Sequence, residues 1–309
     1  MVYEFPGLRP ADAADRALFA GQGFLVVEGL LNGTMVEALR ASFPRLFAGD
    51  FDTGVYPDEW HWREGGGRPD ATRHIANAWK ADLAVARLAL SRSLARFAAG
   101  LAGWRGVRLG QDTIWWKPPG TRPIAYHQDS SFMDFLEPPV TVTCWVTLDD
   151  THRDAGTLEY APGSHRWPLT PLPSQFHGQD DHRAQMCAAA QAAGREAPSP
   201  VFVEVPAGSC VFHHGEIWHG SGANRSDRRM RRSIGLHYLS AETVFSDRPG
   251  GYIYRRYQRT GEPALDESFF PLLWSEDGRR TAWIDGYCRT GRREMLAPRS
   301  APKAAVPQA

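Results

Sequence analysis

Hydrophobic and polar positions change their rhythm along the chain, and the changes divide it into elements. After an opening that reads as a short helix, GFLVVEGLL (23–31) is a β-rich run. NGTMVEALRASFPRLFAG (32–49) then repeats its apolar residues at helical spacing. Residues 50–78, with YPDEWHWREGGGRPD at their centre, carry no period and predict a long surface loop of the kind that often serves a site. KADLAVARLALSRSLARFAAGL (80–101) is the clearest amphipathic helix. Between 107 and 170 the pattern becomes short strands broken by turn chemistry: VRLGQDTIWWKPPG, VTVTCWVTLDD and GTLEYAPGSH. A second such run spans 201–240. Many short strands with Gly and Pro at the bends predict a mainly β fold with flanking helices, built on a jelly roll or related double-sheet barrel. Residues 171–200, rich in Pro, Gln and Ala, read as an insertion that folds as a helix or lid. One domain over 1–296 is the simplest organisation, with a disordered tail at 297–309, APRSAPKAAVPQA.

Composition narrows the partners more than the fold. Lys plus Arg and Asp plus Glu both number 35, so no net field draws the 309-residue chain to nucleic acid or an anionic membrane, and a small-molecule substrate is expected. Cys144, Cys187, Cys210 and Cys288 form no C-x-x-C pair, which argues against a structural zinc site and a secreted disulfide framework. The first twenty residues lack the basic and apolar regions of a signal peptide, and no run reaches the roughly 18 to 20 apolar residues of a membrane span. A cytoplasmic protein fits these features; its oligomeric state is not legible.

The chemistry starts from HQDSS (127–131). On an extended chain, side chains two residues apart point to the same side, so His127 and Asp129 could be two metal ligands or a hydrogen-bonded pair without a metal. A third ligand has to come from a distant strand, and FHHGEIWHGSGAN offers His213, His214 and His219. Two histidines and a carboxylate make the facial triad of non-haem Fe(II) oxygenases, which leaves open positions for a co-substrate and oxygen. If the co-substrate is 2-oxoglutarate, its far carboxylate needs a fixed cation, best an arginine shortly after the third ligand. In NRSDRRMRRSIGLHYL, Arg231 opens the strand-like run.

In these motifs the sequence resembles the phytanoyl-CoA dioxygenase family of Fe(II)/2-oxoglutarate-dependent oxygenases. HQD, the turn GTLEYAPGSH (156–165) and HGSGANRS occur in the family's order, and the resemblance runs from GFLVVEGLL to LHYL at 239. It implies a double-stranded β-helix core of the cupin-like kind. It also implies Fe(II) on His127, Asp129 and His219, with 2-oxoglutarate and O2 as co-substrates. Ser221 and an arginine would bind the far carboxylate of 2-oxoglutarate. The spacing after His219 is one residue longer than in the family, and anchoring on RRSIGLHYL gives Arg231, with Arg232 facing away. Trp145, eighteen residues after His127, and Thr113 fall where the family lines the co-substrate pocket, and Lys80 is a further contact. Asp129 stands where halogenating relatives carry a small residue, so oxygen insertion is implied.

The reaction so implied is hydroxylation of an unactivated C–H bond, with succinate and CO2 as co-products. Desaturation or cyclisation by the same centre is an alternative. The aromatic and charged character of 50–78, 171–200 and 251–274 suits a polar small molecule or a natural-product intermediate better than an acyl chain. Beside these readings stand plainer ones. His213 and His214 would pack in a strand or support the site, His165 would close a turn, and the tryptophans would be core. The whole could be a non-catalytic jelly roll binding a metal or ligand, or a zinc hydrolase.

Overall fold

The computed structural model describes residues 1–173 and 175–291. The expected tail at 297–309 lies outside them. Fourteen strands are β1 (Phe24–Val27), β2 (Glu59–Trp60), β3 (Arg73–Ala76), β4 (Gly106–Lys117), β5 (Ile124–His127), β6 (Leu136–Glu137), β7 (Thr141–Thr147), β8 (Leu158–Tyr160), β9 (Val201–Phe202), β10 (Cys210–His214), β11 (His219–Ser221), β12 (Arg231–Ser240), β13 (Val244–Phe245) and β14 (Leu272–Ser275). The helices that matter for packing are α1 (Ala13–Gln22), α2 (Gly33–Ala48), α3 (Leu83–Ala89), α4 (Arg92–Ala102) and α5 (Ala184–Ala192). A large antiparallel sheet runs β1-β10-β7-β12-β4-β3-β2, with β14 also on β4. A smaller sheet runs β5-β11-β8-β9. This is the mainly β jelly-roll architecture with flanking helices that the strand pattern predicts, although the sheets do not close into one barrel.

Period-two alternation sorts the side chains of the large sheet. On its outer face Ile114, Cys144, Phe212, Ile234 and Leu236 meet α2, α3 and α4 in the main core, where the Phe97 and Phe212 rings stand 4.8 Å apart. Each such fully buried large side chain contributes about 1.5–3 kcal/mol. The inner face meets the small sheet through Phe24, Trp145, Leu158, Tyr160, Val211 and Ile217, and Phe24 stacks on Tyr160 at 4.7 Å. One end of this gap is filled by apolar packing, and the rest holds the polar side chains of the site.

Two regions differ from expectation. The helix expected over 80–101 is divided into α3 and α4, because Ser91 is extended (φ −66°, ψ 125°) and its hydroxyl caps the second helix by accepting from the Leu94 N–H. The loop expected over 50–78 holds β2 and β3, paired Trp60 to Ile75, with β3 continuing onto β4. Strands of two and four residues are too short to show a period. Trp62 of this region and Trp116 of β4 pack on Arg73, whose guanidinium sits 3.8 Å from the Trp62 ring and 4.6 Å from the Trp116 ring.

A turn at 78–80 is held onto the sheet by Asp112, whose fully buried carboxylate accepts the Trp79 N–H at 2.9 Å and the Ala78 N–H at 3.2 Å. Burial pushes this carboxyl up to about 7, against the opposing pull of those two N–H groups. Between the ordinary carboxylate value and about 7 the folded state therefore binds more protons than the unfolded state. Stability falls as pH rises through that window, then levels off. Asp112→Asn should flatten this slope, an effect of up to about 4 kcal/mol at 1.36 kcal/mol per unit. Thermal unfolding midpoints of both proteins between pH 4 and 8 check it.

Among the described residues no helix is long and apolar enough to cross a membrane, and the four cysteines are unpaired.

Candidate active site

His127 ends β5, and Asp129 opens the short helical turn that follows. His219 begins β11 directly opposite His127 in the ladder. The Nδ1 of His127 lies 2.8 Å from the Ala125 carbonyl and that of His219 3.0 Å from the Ile217 carbonyl. Each Nδ1 therefore carries the proton and each Nε2 keeps its lone pair. Asp129 Oδ1 faces both, 3.4 Å from His127 Nε2 and 3.5 Å from His219 Nε2, beyond ordinary hydrogen-bond length. One donor atom from each of the three lies within 4.8 Å of the others, all buried. Two neutral imidazoles and one carboxylate converging in this way fit Fe(II) by donor chemistry.

The second oxygen of Asp129 is fully engaged. Thr143 Oγ1 donates to Oδ2 at 2.6 Å and His213 Nε2 at 3.0 Å. Because an ionised carboxylate only accepts, His213 must be protonated on Nε2, and its Nδ1 accepts from the Tyr160 hydroxyl at 2.8 Å. By the same reasoning Thr143 accepts from His237 Nδ1 at 3.0 Å. Burial alone would raise Asp129, but the imidazoles around it, His219 and His237 foremost, and the hydrogen bond from His213 hold it well below the usual carboxylate range. Burial pushes the His213 and His219 imidazoles down. Tyr160, His213 and Thr143 thus turn one carboxylate oxygen away and present the other. His213→Leu is expected to weaken Fe(II) binding by about 10- to 100-fold, the usual cost of losing a partner that orients a ligand. His213→Gln, which keeps a donor, should recover part of it. Competition with a chromophoric chelator measures both.

Two arms open from this centre. The narrow one is lined by Trp145, Leu158, Ser221 and Arg231. Arg231 is 2% exposed. One of its Nη groups donates to Ser233 at 2.7 Å, its Nε has no partner, and the guanidinium lies 5.7 Å from the Trp145 ring. Lys117 is paired with Arg231 across β4 and β12. Its ammonium donates to Ser221 Oγ at 3.0 Å and to the Gly222 carbonyl. Burial pushes Arg231 down to about 10; burial and the neighbouring Arg231 push Lys117 down as well. Among the described residues no carboxylate forms an ion pair with either, so two buried cations converge where an anion would relieve both. Arg232 faces the other way, bound to Asp149 at 2.6 Å and 3.0 Å, as alternation requires.

The wider arm is a cavity of about 460 Å³ that includes His127 and Asp129 in its wall. Phe132 and Phe176 stand edge-on to the His127 ring at 5.7 Å and 4.9 Å, and Thr113, Trp115, Glu59 and Asp134 line the remainder. Leu172, Phe176 and His177 come from the 171–200 insertion, and Ile253 and Tyr254 from the 251–274 segment. No lysine or arginine is part of this lining.

The structure therefore brings together His127, Asp129, His219, Ser221, Trp145 and Arg231, and puts Thr113 on the wider cavity. It does not bring Lys80 there. The Lys80 ammonium pairs with Asp58 at 2.6 Å and lies over the Tyr257 ring, lining a different cavity, because a carboxylate only 4% exposed needs a cation beside it. Sequence reasoning missed Lys117, Thr143 and His237. The alternation Thr113, Trp115, Lys117 was a signal for the first, since it puts the lysine on the Thr113 face.

The family model for phytanoyl-CoA dioxygenase (PhyH) matches residues 19–233. The peroxisomal phytanoyl-CoA dioxygenase of Rattus norvegicus is 23% identical over 247 residues, covering 74% of this chain and 69% of that protein. Among solved structures, the non-heme alpha ketoglutarate dependent carbocyclase SnoK from nogalamycin biosynthesis superimposes with a TM-score of 0.66 at 26% identity, covering 85% of this chain and 97% of that one. The epimerase SnoN, solved with Fe3+, alpha ketoglutarate and nogalamycin RO, gives 0.64 at 25% identity, covering 84% and 97%.

Proposed function

Since the chain belongs to the phytanoyl-CoA dioxygenase family of Fe(II)/2-oxoglutarate-dependent oxygenases, we propose that it hydroxylates an unactivated C–H bond of a polar small molecule or natural-product intermediate. The observation that carries this reading is the His127–Asp129–His219 cluster set between a narrow arm lined by Arg231 and Ser221, with Lys117 bonded to Ser221, and a wider arm large enough for a substrate.

His127, Asp129 and His219 would hold the iron. Arg231, Lys117 and Ser221 would hold the far carboxylate of 2-oxoglutarate, with Trp145 packed along its chain. When bound, iron and 2-oxoglutarate supply with O2 the oxidising power for C–H cleavage, releasing succinate and CO2. The protein positions and excludes: Phe132 and Phe176 shield the metal side of the cavity from bulk water, and Tyr160, His213 and Thr143 fix Asp129. A wall that includes Glu59 and Asp134 but no lysine or arginine suits a neutral or basic polar molecule. A coenzyme A thioester would want arginines or lysines for its phosphates.

The first test is spectroscopic. Anaerobic apo-protein given Fe(II) and then 2-oxoglutarate should develop the weak visible charge-transfer band of keto-acid chelation. Iron shown to be bound without that band would refute the reading in favour of a non-catalytic binding protein. Succinate release then screens polar and basic scaffolds. The likeness to SnoK supports a second reading, ring closure, which product mass separates: hydroxylation adds one oxygen atom, whereas ring closure or desaturation removes two hydrogens.

A further inference from the structure

Outside the iron centre, one nitrogen from each of His61, His74 and His177 lies within 4.8 Å of the others. The three come from separate parts of the chain. His61 follows β2 and donates its backbone N–H to the His74 carbonyl at 3.1 Å, His74 lies within β3, and His177 belongs to the insertion. That part of the insertion is strapped along β5 by Ala125 N–H to the Phe176 carbonyl at 3.0 Å and Gly178 N–H to the Pro123 carbonyl at 2.9 Å. The cluster thus joins the edge of the large sheet to a strap on the small one, in the wall of the wider cavity.

His74 is 7% exposed, and its Nε2 faces Glu59 at 3.5 Å while its Nδ1 is buried without a partner. An imidazole that presents one nitrogen to a carboxylate and keeps a bare, buried lone pair on the other has the arrangement found behind metal-bound histidines. His177 Nδ1 is likewise buried without a partner. A single partner placed between the rings would satisfy both of these buried nitrogens.

We propose that His61, His74 and His177 form a second site for a divalent transition metal of the class that imidazole prefers, Zn²⁺, Ni²⁺ or Cu²⁺, and that the ion staples the insertion to the sheet edge beside the substrate cavity. Nitrogens sharing a metal at about 2.0–2.1 Å stand at most about 4.2 Å apart, so the cluster needs only a small contraction. The rings lie nearly parallel, with His61 stacked at 4.5 Å on His74 and 4.3 Å on His177. Parallel rings do not aim all their lone pairs at one point, so capture requires a ring rotation. His61 is exposed and is the ring that turns.

The test is metal stoichiometry. Untagged full-length apo-protein is dialysed anaerobically against Co(II), and bound cobalt is counted by elemental analysis while its visible d–d bands are recorded. Wild type should hold two ions per chain. His61→Ala and His177→Ala should each hold one, and Asp129→Ala should also hold one, with the spectrum of the other site. Asp129→Ala/His177→Ala should hold none. A single ion in the wild type that Asp129→Ala removes, or two that survive both His61→Ala and His177→Ala, would overturn the second site. Equal counts in wild type and Asp129→Ala would instead count against the iron assignment. Circular dichroism on each variant separates lost ligation from lost fold.

Discussion

Asp129→Ala should abolish iron-dependent turnover of 2-oxoglutarate, with a loss beyond about a thousandfold, because it removes a proposed ligand and not merely one of the outer partners whose loss costs about 10- to 100-fold. The carboxylate is in contact with four imidazoles: His127 and His219 on one oxygen, His213 and His237 near the other. Alanine leaves two neutral histidines, too little charge to hold a hard divalent cation against water. The visible band with 2-oxoglutarate and succinate production should vanish together. The fold should tolerate the change better than the chemistry. Thr143 and His213 each lose an acceptor, at about 1–3 kcal/mol for a buried orphan, while the desolvation penalty of a buried carboxylate disappears. Retained circular dichroism without the band is the expected result. A band of wild-type strength would remove Asp129 from the ligand set.

Arg231→Ala should raise the 2-oxoglutarate concentration needed for half-maximal turnover by about 100-fold while changing kcat far less. Losing one partner of a buried, hydrogen-bonded charge pair costs about 2–5 kcal/mol, and Lys117 remains to hold part of the anion. Lys117→Met should act in the same direction. The double variant should lose less than the sum of the two, since both cations serve one carboxylate. A structural role would not show a second signature. With no co-substrate, Lys117→Met should melt higher than wild type, because it removes a buried ammonium beside a guanidinium. Addition of 2-oxoglutarate should then stabilise the variant less than wild type. The sign with pH follows. Lys117 is depressed in the folded state, so the unfolded chain binds more protons as pH approaches the ordinary lysine range, and wild-type stability rises with pH there. Lys117→Met should remove that rise. Equal slopes would contradict the buried cation pair.

Local chemistry explains what could be read from the chain alone. The cap at Asn32 and the left-handed Gly49 bound α2 as its apolar spacing implied, and the strand runs after 107 became the two sheets. His127 and Asp129 were legible because two candidate ligands lie in one tripeptide. His219 and Arg231 needed the resemblance, since each sits among several equivalent histidines or arginines, and only burial distinguishes Arg231 from the exposed Arg228 and Arg229. Lys80 shows the limit of that reasoning. A lysine's destination is decided by the acid that its long side chain meets, here Asp58, twenty-two residues earlier in sequence and unrelated to any motif. Lys117 was hidden for the opposite reason. Its neighbours in sequence read as core and turn, and its significance arises only when β12 lays Arg231 beside it. His61, His74 and His177 are likewise scattered through segments without a period, and only tertiary structure collects them.

The proposed metal ligands all come from the four-stranded sheet and its flanking turn, whereas both cations of the narrow arm come from the eight-stranded one. Evolution and protein engineering can therefore adjust two properties on separate scaffolds. Substitutions at 117, 231 and 233 would retune which keto acid is accepted, its chain length and the spread of its charge, without touching a proposed metal ligand. A library confined to those three strand positions would be a direct route to an enzyme driven by an unnatural co-substrate, orthogonal to the 2-oxoglutarate pool of a living cell.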